Sequence, residues 1–487
     1  MSTLPFMVVS PGQPSSISDD SDAVTLLGSS QDLASEINKK EIHWGLLEDS
    51  LENRLEKTGG LLSDSEKTEA ETKDSELDEN KKRAADGSKQ GTSVKRSKKD
   101  KSGTSTSKVV RPETTSIPAA PRVKAELPLP VISTEVEVAI LEDLRNRVQL
   151  SSTSLPSVSF YTFLNTYNGL NCSSISYDGS LLAGGFSDSS LKVFDMAALG
   201  QQSSNSVLQG DISAASNEPS SSPSGKKSYT LLQGHSGPVY SASFSPLGDY
   251  ILSSSADTTV RLWSTKLNAN LVCYKGHNYP VWDVQFSPFG HYFASASHDR
   301  TARIWSMDRI RPLRIIAGHL SDVDCVQWHA NCNYIATGSS DKTVRLWDVQ
   351  TGECVRVFIG HRCMVLSLAL SPDGRYMASG DEDGTIMMWD LSNGRCITPL
   401  MGHSSCVWTL AFSGEGSLLA SGSADCTLKL WDVSSSSKVV RTEDNRNTNV
   451  NRLRLLKTLP TKSTPVYSLR FSRRNLLFGS GAVQKHA

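Results

Sequence analysis

One feature of the sequence constrains the fold more than any other: three markers recur every 42 positions. A Gly-His pair, an aspartate and a tryptophan keep this spacing through five consecutive units. The markers are His235, His277, His319, His361 and His403, then Asp257, Asp299, Asp341, Asp383 and Asp425, and then Trp263, Trp305, Trp347, Trp389 and Trp431. A period of this length indicates a repeat architecture, in which each unit packs against the next.

Each unit contains four short apolar segments separated by turns. In the unit that begins with His277 they cover residues 281–286, 292–297, 301–305 and 313–316. Apolar or small residues occupy both faces of every segment, which is typical of strands that are covered on both sides. Because no unit can bury two faces alone, we expect the units to close into a ring.

The two ends of the repeat array raise the count of units to seven. Phe194 follows Asp188 at the aspartate-to-tryptophan spacing in a first unit that lacks Gly-His, and residues 465–472 begin a last unit that lacks the tryptophan and an outer strand. Residues 158–164 are predicted to supply that strand, which would remove the open edges of the ring. The predicted fold class is all-β: a seven-bladed β-propeller with blades of four antiparallel strands, closed by N-terminal strand exchange.

The aromatic residues separate a part of the chain that can form a core from a part that cannot. Of the 34 aromatic residues, only Phe6 and Trp44 precede Phe160. Residues 1–132 are therefore predicted to be largely disordered.

Two helices are predicted before the propeller. Residues 41–57 have the apolar spacing of an amphipathic helix, and a capping box at Ser133 and Glu137 predicts that a second helix begins there. The predicted organisation is a mostly disordered region at 1–132, a helix and linker at 133–157, and the propeller at 158–487, with polar insertions at 197–228 and 434–451.

Charge is distributed unevenly in the N-terminal region. Residues 64–79 hold eight acidic residues against two lysines, whereas residues 81–101 hold nine basic residues against two aspartates. Within the basic stretch, residues 81–83 and 95–99 form two clusters separated by eleven residues. Two basic clusters at this separation fit the pockets of a nuclear import receptor. The alternative is a solvated charge run. The predicted import residues are Lys81, Lys82, Arg83, Lys95, Arg96, Lys98 and Lys99. The predicted location is the nucleus.

Composition argues against several other classes of protein. A formal net charge of −1 argues against a protein coated with cationic charge to hold nucleic acid or an anionic membrane. No segment reaches the roughly 18 apolar residues of a membrane span. The nine cysteines include no CxxC pair, which favours reduced thiols over a disulfide or zinc framework. No cofactor is predicted.

A histidine, a serine and an aspartate in each unit have the composition of a hydrolase triad. His235, Ser255 and Asp257 form the first such set, and near-identical sets follow in later units. An active site needs one strained, water-excluding set rather than copies around a ring. The chain is therefore predicted not to be an enzyme, with no catalytic and no metal-binding residue.

The Gly-His pairs and the Trp-Asp pairs at 347–348, 389–390 and 431–432 resemble WD40 repeats. In WD40 proteins the recurring polar residues form a buried hydrogen-bond network that resists unfolding. The resemblance implies this role for His235, Ser255, Asp257, Trp263, His277, Ser297, Asp299, Trp305, His319, Ser339, Asp341, Trp347, His361, Asp383, Trp389, His403, Ser423, Asp425 and Trp431. In the unit of His361, Asp381 replaces the serine, so a weaker or different pairing is expected there.

Three segments carry a narrower resemblance. GHNYPVWDV at 276–284, MDRIRPLR at 307–314 and SRRNLLF at 472–478 closely resemble the WD40-bearing TBP-associated factor family, subunit 5 of the general transcription factor TFIID. The resemblance implies a non-catalytic nuclear scaffold for RNA polymerase II transcription initiation. Its implied partners are the histone-fold TBP-associated factors (subunits 6 and 9) and other TFIID subunits, with related copies serving the SAGA coactivator. The alternative is a different nuclear WD40 adaptor, such as a splicing factor or a ubiquitin-ligase substrate receptor.

This family usually carries a LisH motif and a helical dimerising domain upstream of the propeller. Residues 41–49 resemble the end of the family's N-terminal region, and the 40 residues before them leave no room for either. Self-association is therefore not predicted.

In WD40 propellers, the fifth residue after the repeat histidine often opens onto the narrow face around the central channel, and the residue just before the turn aspartate often shares that face. Aromatic residues with a few charges have the composition of a protein-binding hot spot. The predicted partner-binding residues are Tyr240, Trp282, His298, Asp324, Leu366, Glu382, Trp408 and Tyr467. The alternative is that Trp282 and Trp408 only fill space between blades.

Overall fold

The computed structural model describes residues 34–35, 37–40, 133–167, 169–199, 229–433 and 453–483. Within these residues, 27 strands form seven sheets around a central channel. The predicted seven-bladed β-propeller is therefore confirmed. The predicted helix at 41–57, the import residues and most of the two insertions lie outside the described residues.

Six blades have four antiparallel strands each, numbered here from the channel outwards. Blades 1 to 3 consist of β2 (Leu170–Ile175), β3 (Leu181–Phe186), β4 (Leu191–Asp195) and β5 (Thr230–Leu232); β6 (Val239–Phe244), β7 (Tyr250–Ser255), β8 (Thr259–Ser264) and β9 (Ala269–Lys275); and β10 (Val281–Phe286), β11 (Tyr292–Ser297), β12 (Thr301–Ser306) and β13 (Arg314–Ala317). Blades 4 to 6 consist of β14 (Val323–Trp328), β15 (Tyr334–Ser339), β16 (Thr343–Asp348) and β17 (Cys354–Ile359); β18 (Val365–Leu370), β19 (Tyr376–Asp381), β20 (Ile386–Asp390) and β21 (Arg395–Leu400); and β22 (Val407–Phe412), β23 (Leu418–Ser423), β24 (Thr427–Asp432) and β25 (Arg454–Pro460).

The hydrophobic core lies between neighbouring blades. Leu252, Leu262 and Tyr274 of blade 2 form one buried cluster with Phe293 and Trp305 of blade 3. The rings of Phe293 and Trp305 stack with their centroids 6.0 Å apart. Burying one large apolar side chain contributes about 1.5–3 kcal/mol, and each blade obtains this contribution only when a neighbour covers its face. The ring therefore forms because no blade can bury its core alone.

The seventh blade is assembled from both ends of the propeller. It contains β26 (Val466–Phe471), β27 (Leu477–Ala482) and β1 (Val158–Phe163). The N-terminal strand closes the ring as predicted, but it runs parallel to β27, with Val158 opposite Leu477. Among the described residues this blade has three strands rather than four. In this sheet β1 lies directly against β27.

The linker before β1 docks on blades 6 and 7. Helix α1 (Thr134–Arg145) begins at the predicted position, but the Ser133 side chain makes no capping hydrogen bond. Arg474 Nε donates to Asp143 Oδ1 at 2.8 Å, and Asn475 Nδ2 donates to the Val148 carbonyl oxygen at 2.7 Å. These contacts hold the chain close to the blade that β1 completes. No helix in the described part of the chain has the length and apolarity needed to cross a membrane.

Candidate protein-interaction site

The inner strand of every blade begins with a β-bulge. In β6, Val239 pairs with Ser255 and Ser241 pairs with Ser254, so that Tyr240 is the extra residue between them. A bulge re-aims the side chain of the extra residue. The bulge residues of the seven blades are Asn171, Tyr240, Trp282, Asp324, Leu366, Trp408 and Tyr467. All seven line the central channel, a cavity of about 920 Å³.

Six of these bulge residues are among the predicted partner-binding residues, and Asn171 is one that the sequence reasoning missed. Blade 1 has no Gly-His pair from which to count. The turn aspartate provides a second reference, because the bulge residue in each of blades 2 to 6 precedes the repeat aspartate of its blade by 17 positions. The same count from Asp188 leads to Asn171.

Two pairs of aromatic rings border the channel. The ring centroids of Tyr240 and Trp282 are 4.9 Å apart across blades 2 and 3, and those of Trp408 and Tyr467 are 4.9 Å apart across blades 6 and 7. All four side chains are half-buried rather than buried. Each pair thus contacts a neighbouring blade and also presents part of its surface to the channel.

Two of the predicted partner-binding residues bring acidic side chains to the channel. Asp324 and Glu382 both line it, and Ser340 Oγ donates to Asp324 Oδ2 at 2.7 Å. Burial, together with the nearby carboxylates of Asp322 and Asp341, raises the pKa of Asp324 to about 7, although the Ser340 hydrogen bond opposes this shift.

His298 lies at the rim of this region rather than among the residues that line the channel. Its Nδ1 atom is 2.5 Å from Asp322 Oδ2, and Trp282 Nε1 donates to the same oxygen at 3.3 Å. The rings of His298 and Tyr279 meet edge to face, with centroids 5.4 Å apart. Asp322 therefore connects Trp282 to the exposed rim.

In each complete repeat, hydrogen bonds link four side chains in series: the tryptophan, a hydroxyl residue, the histidine and an aspartate. In blade 3, Trp305 Nε1 donates to Ser295 Oγ at 2.9 Å, His277 Nε2 lies 2.7 Å from the same oxygen, and His277 Nδ1 lies 2.7 Å from Asp299 Oδ2. Because an ionised carboxylate can only accept, the ring proton of His277 is on Nδ1, which donates to Asp299. The Nε2 atom of the neutral ring therefore accepts from the Ser295 hydroxyl, which in turn accepts from the indole N–H of Trp305.

The structure corrects the serine of the predicted network. Ser297 Oγ donates to the Pro280 carbonyl oxygen at 2.8 Å and accepts from the Asp299 backbone N–H at 3.2 Å, so it serves the turn and not the histidine. The residue two positions earlier in the strand lies beside the tryptophan and bridges to the histidine. The predicted Ser255, Ser297, Ser339 and Ser423 are thus replaced as histidine partners by Ser253, Ser295, Thr337 and Ser421.

In blade 5 the histidine is paired differently, as the aspartate in place of the turn serine predicts. His361 Nδ1 pairs with Asp381 Oδ2 at 2.9 Å, and Ser379 links His361 to Trp389. Asp381 stands where the other blades have the turn serine, and its carboxylate reaches the histidine from there. The predicted partner Asp383 instead accepts from the Cys363 thiol at 2.9 Å.

Burial and hydrogen bonding together set the charge states of the histidine and the aspartate in this series. Burial lowers the pKa of His277, although the hydrogen bond to Asp299 opposes the shift. Burial acts to raise the pKa of Asp299, but the hydrogen bonds from His277 and Thr301 outweigh it and hold that pKa below its ordinary value. A neutral histidine that donates to an ionised aspartate satisfies both directions.

The contribution of the three histidines to the stability of the propeller should therefore decrease in mild acid. His277, His319 and His403 have lowered pKa values in the folded state, so each binds its proton more readily in the unfolded chain once the pH falls below about 6.5. The carboxyls of Asp283 and Asp324 act in the opposite direction, because burial raises their pKa values in the folded state. We therefore expect the effect on the histidines themselves: an NMR titration of the folded chain should give their imidazoles pKa values below the ordinary value of about 6.5. Values at or above it would contradict the neutral-histidine assignment.

The described residues contain no group of three or more His, Cys, Asp or Glu side chains arranged to hold a metal ion. All nine cysteines have free thiols. The mouth of the channel thus combines half-buried aromatic rings and carboxyl groups with a hydrogen-bonded frame in the blades behind them. These features together suit the binding of a protein surface.

Comparisons with known proteins agree with the geometry. The model of the "WD domain, G-beta repeat" matches residues 159–195, 225–264, 269–306, 310–348, 352–390 and 394–432. The chain is 74% identical over 270 residues to the Arabidopsis thaliana protein named "Transcription initiation factor TFIID subunit 5", covering 55% of this chain and 40% of that protein.

More distant relatives carry similar names. The Drosophila melanogaster TFIID subunit 5 is 39% identical over 168 residues, covering 33% of this chain and 24% of the fly protein. The Schizosaccharomyces pombe protein named "SAGA complex/transcription factor TFIID complex subunit Taf5" is 43% identical over 141 residues, covering 28% of this chain and 19% of that protein. The chain spans less than half the length of these relatives.

Proposed function

Because the chain belongs to the WD40-repeat family and, within it, to the relatives of TFIID subunit 5, we propose that it is a non-catalytic scaffold subunit of a TFIID-type complex in RNA polymerase II transcription initiation. The observation that carries this proposal is the 74% identity over 270 residues to a protein named as a TFIID subunit. The fission yeast relative is named for both SAGA and TFIID, which supports a second assembly of the SAGA type for this chain.

The partner surface that we propose is the mouth of the central channel. Its two aromatic pairs, Tyr240 with Trp282 and Trp408 with Tyr467, expose ring surface on a rigid base. Half-buried aromatic residues of this kind supply large contact area at a low cost in side-chain entropy, and they are enriched among binding hot spots. The proposed ligand is the pair of histone-fold TBP-associated factors, subunits 6 and 9, with Asp324 and Glu382 adding carboxylates to the contact.

Purification of the tagged chain from nuclear extract tests the function. We expect TBP-associated factors, including the histone-fold subunits, to be enriched over a tag-only control by quantitative mass spectrometry. Enrichment of spliceosomal or cullin-ligase subunits without TBP-associated factors would instead support the alternative of another nuclear WD40 adaptor.

Nuclear import should depend on both basic clusters. We expect a fluorescent fusion to remain in the cytoplasm when Lys81, Lys82, Arg83, Lys95, Arg96, Lys98 and Lys99 are all changed to alanine, because an import receptor reads the two clusters together. The matched control changes seven cationic residues of the same region, namely Lys57, Lys67, Lys73, Lys108, Arg111, Arg122 and Lys124. Unchanged nuclear accumulation of the first variant would reduce the clusters to a solvated charge run.

A further inference from the structure

The outer edge of blade 4 is occupied by a short segment from near the start of the chain. Asn38 Nδ2 donates to the Val357 carbonyl oxygen at 3.0 Å, and the Val357 backbone N–H donates to Asn38 Oδ1 at 2.9 Å. Val357 lies in β17, the outermost strand of this blade. One carboxamide thus makes the two hydrogen bonds that a residue of a neighbouring strand would make.

A turn of blade 5 forms the opposite wall of this contact. Arg356 Nη2 donates to the Ser392 carbonyl oxygen at 3.1 Å and so ties β17 to the turn between β20 and β21. In that turn Gly394 has a φ of +70°, and a Cβ atom added to it would lie 2.9 Å from Asn38 Nδ2. A side chain at position 394 would therefore push the carboxamide away from Val357.

Two further contacts orient the segment. Ala34, one turn before Asn38, is only 7% exposed, and the Asn38 backbone N–H donates to the Ala34 carbonyl oxygen at 2.9 Å. Lys40 Nζ forms an ion pair with Glu353 Oε2 at 3.0 Å, in the turn that precedes β17. The segment is therefore tied to blade 4 at Asn38 and at Lys40, and its preceding turn is held by its own backbone hydrogen bond.

We propose that the outer edge of blade 4 is a carboxamide-binding site whose ligand is residues 34–40 of this same chain. The site selects asparagine because Val357 offers one donor and one acceptor at the spacing of a primary amide. Aspartate lacks the donor for the Val357 carbonyl, and glutamine is longer by one methylene and would collide with the Gly394 turn. The docked segment also closes an exposed strand edge, which would otherwise be open to pairing with another chain.

Hydrogen exchange and tryptic cleavage of the full-length chain test this proposal. In Asn38→Asp we expect the amide of Val357 to exchange about tenfold faster or more, because local opening exposes it to water. Cleavage by trypsin after Lys39 and Lys40 should accelerate by a similar factor. Amides of β14, in the inner part of the same blade, should exchange as in the unchanged protein and so show that the blade remains folded.

A matched pair of glycine variants distinguishes the effect of a side chain that displaces Asn38 from the effect of backbone strain alone. Gly394→Ala and Gly248→Ala impose a similar strain, since their φ angles are +70° and +79°, but an added Cβ at Gly248 meets no atom within 4 Å. Only Gly394→Ala should release the segment. Equal Val357 exchange in both variants, or exchange in Asn38→Asp like that of the unchanged protein, would overturn the proposal.

A peptide of residues 31–41 tests the site in trans. It should bind the Asn38→Asp chain, whose own segment has left the site, and the same peptide with Asn38→Asp should not. Failure of the first peptide to bind would overturn the assignment of a carboxamide site. Val357 exchange that slows as the protein concentration rises would show that the segment comes from a second copy, which would overturn the choice of occupant.

Discussion

Changing Trp282 and Trp408 together to alanine should abolish most of the affinity for the purified pair of histone-fold subunits. Truncating a hot-spot residue costs about 2 kcal/mol or more, so two such losses weaken binding by about a thousandfold. Both indoles border the channel, each beside the tyrosine of a neighbouring blade. Calorimetric titration of the variant against the unchanged chain measures the loss.

Two controls separate this expectation from the alternative that the indoles only fill space. The melting temperature of the double variant should stay close to that of the unchanged chain, whereas Trp305→Ala, at a fully buried position, should lose about 3–5 kcal/mol of stability. Leu267→Ala, which removes an apolar side chain 71% exposed outside the channel, should bind the pair normally. Normal folding with unchanged affinity would exclude the mouth as the docking surface.

Replacing Asp299 by alanine should lower the free energy of unfolding by about 1–3 kcal/mol or more, because buried donors lose their acceptor. His277 Nδ1 and the backbone N–H of Thr301 both donate to this carboxylate, at 2.7 Å and 3.0 Å. Chemical denaturation of the variant measures the loss. Binding of partners should weaken only in proportion to the unfolded fraction.

The matched control for Asp299→Ala is Asp383→Ala. Asp383 keeps the same place in the sequence repeat, but it is exposed and makes no hydrogen bond to a described histidine. Its loss should change the stability by no more than about 0.5 kcal/mol, as for most surface substitutions. Two outcomes would contradict the prediction: Asp299→Ala unfolds like the unchanged chain, or both variants lose the same stability. In either case the hydrogen bonds of Asp299 to His277 and Thr301 do not stabilise the fold.

The period of the repeat was sufficient to predict the ring, the number of blades and the end-to-end closure. These properties depend on where apolar strands and turns recur, and that pattern is visible in one sequence. The pairing of the network was not visible, because Ser295 and Ser297 both lie in β11 on the same side of the strand. Which hydroxyl meets His277 depends on the position of Trp305 in the neighbouring strand, which the periodicity does not report.

The closing strand shows a second limit of the sequence pattern. Residues 158–163 carry the alternation of a strand, and this predicts that they pair without specifying the direction or the neighbour. The strand pairs with β27 in parallel, a direction that the pattern does not report. Asn38 was missed for a different reason, since a single carboxamide on a strand edge leaves no periodic signal.

Because blade 7 takes strands from both ends of the propeller, it can be completed only late in synthesis. Val158 and Leu477 are adjacent in the sheet although 319 positions separate them in sequence. At the usual rates of synthesis, about 5–20 residues per second, β1 waits about 15–60 s on the ribosome for its partner strand. During that interval six blades can form in order, while β1 and the last open blade face lack their partners. The final 20 or so residues of the described propeller therefore decide whether a nascent chain becomes a closed domain, which makes ring closure a late kinetic checkpoint rather than a local folding event.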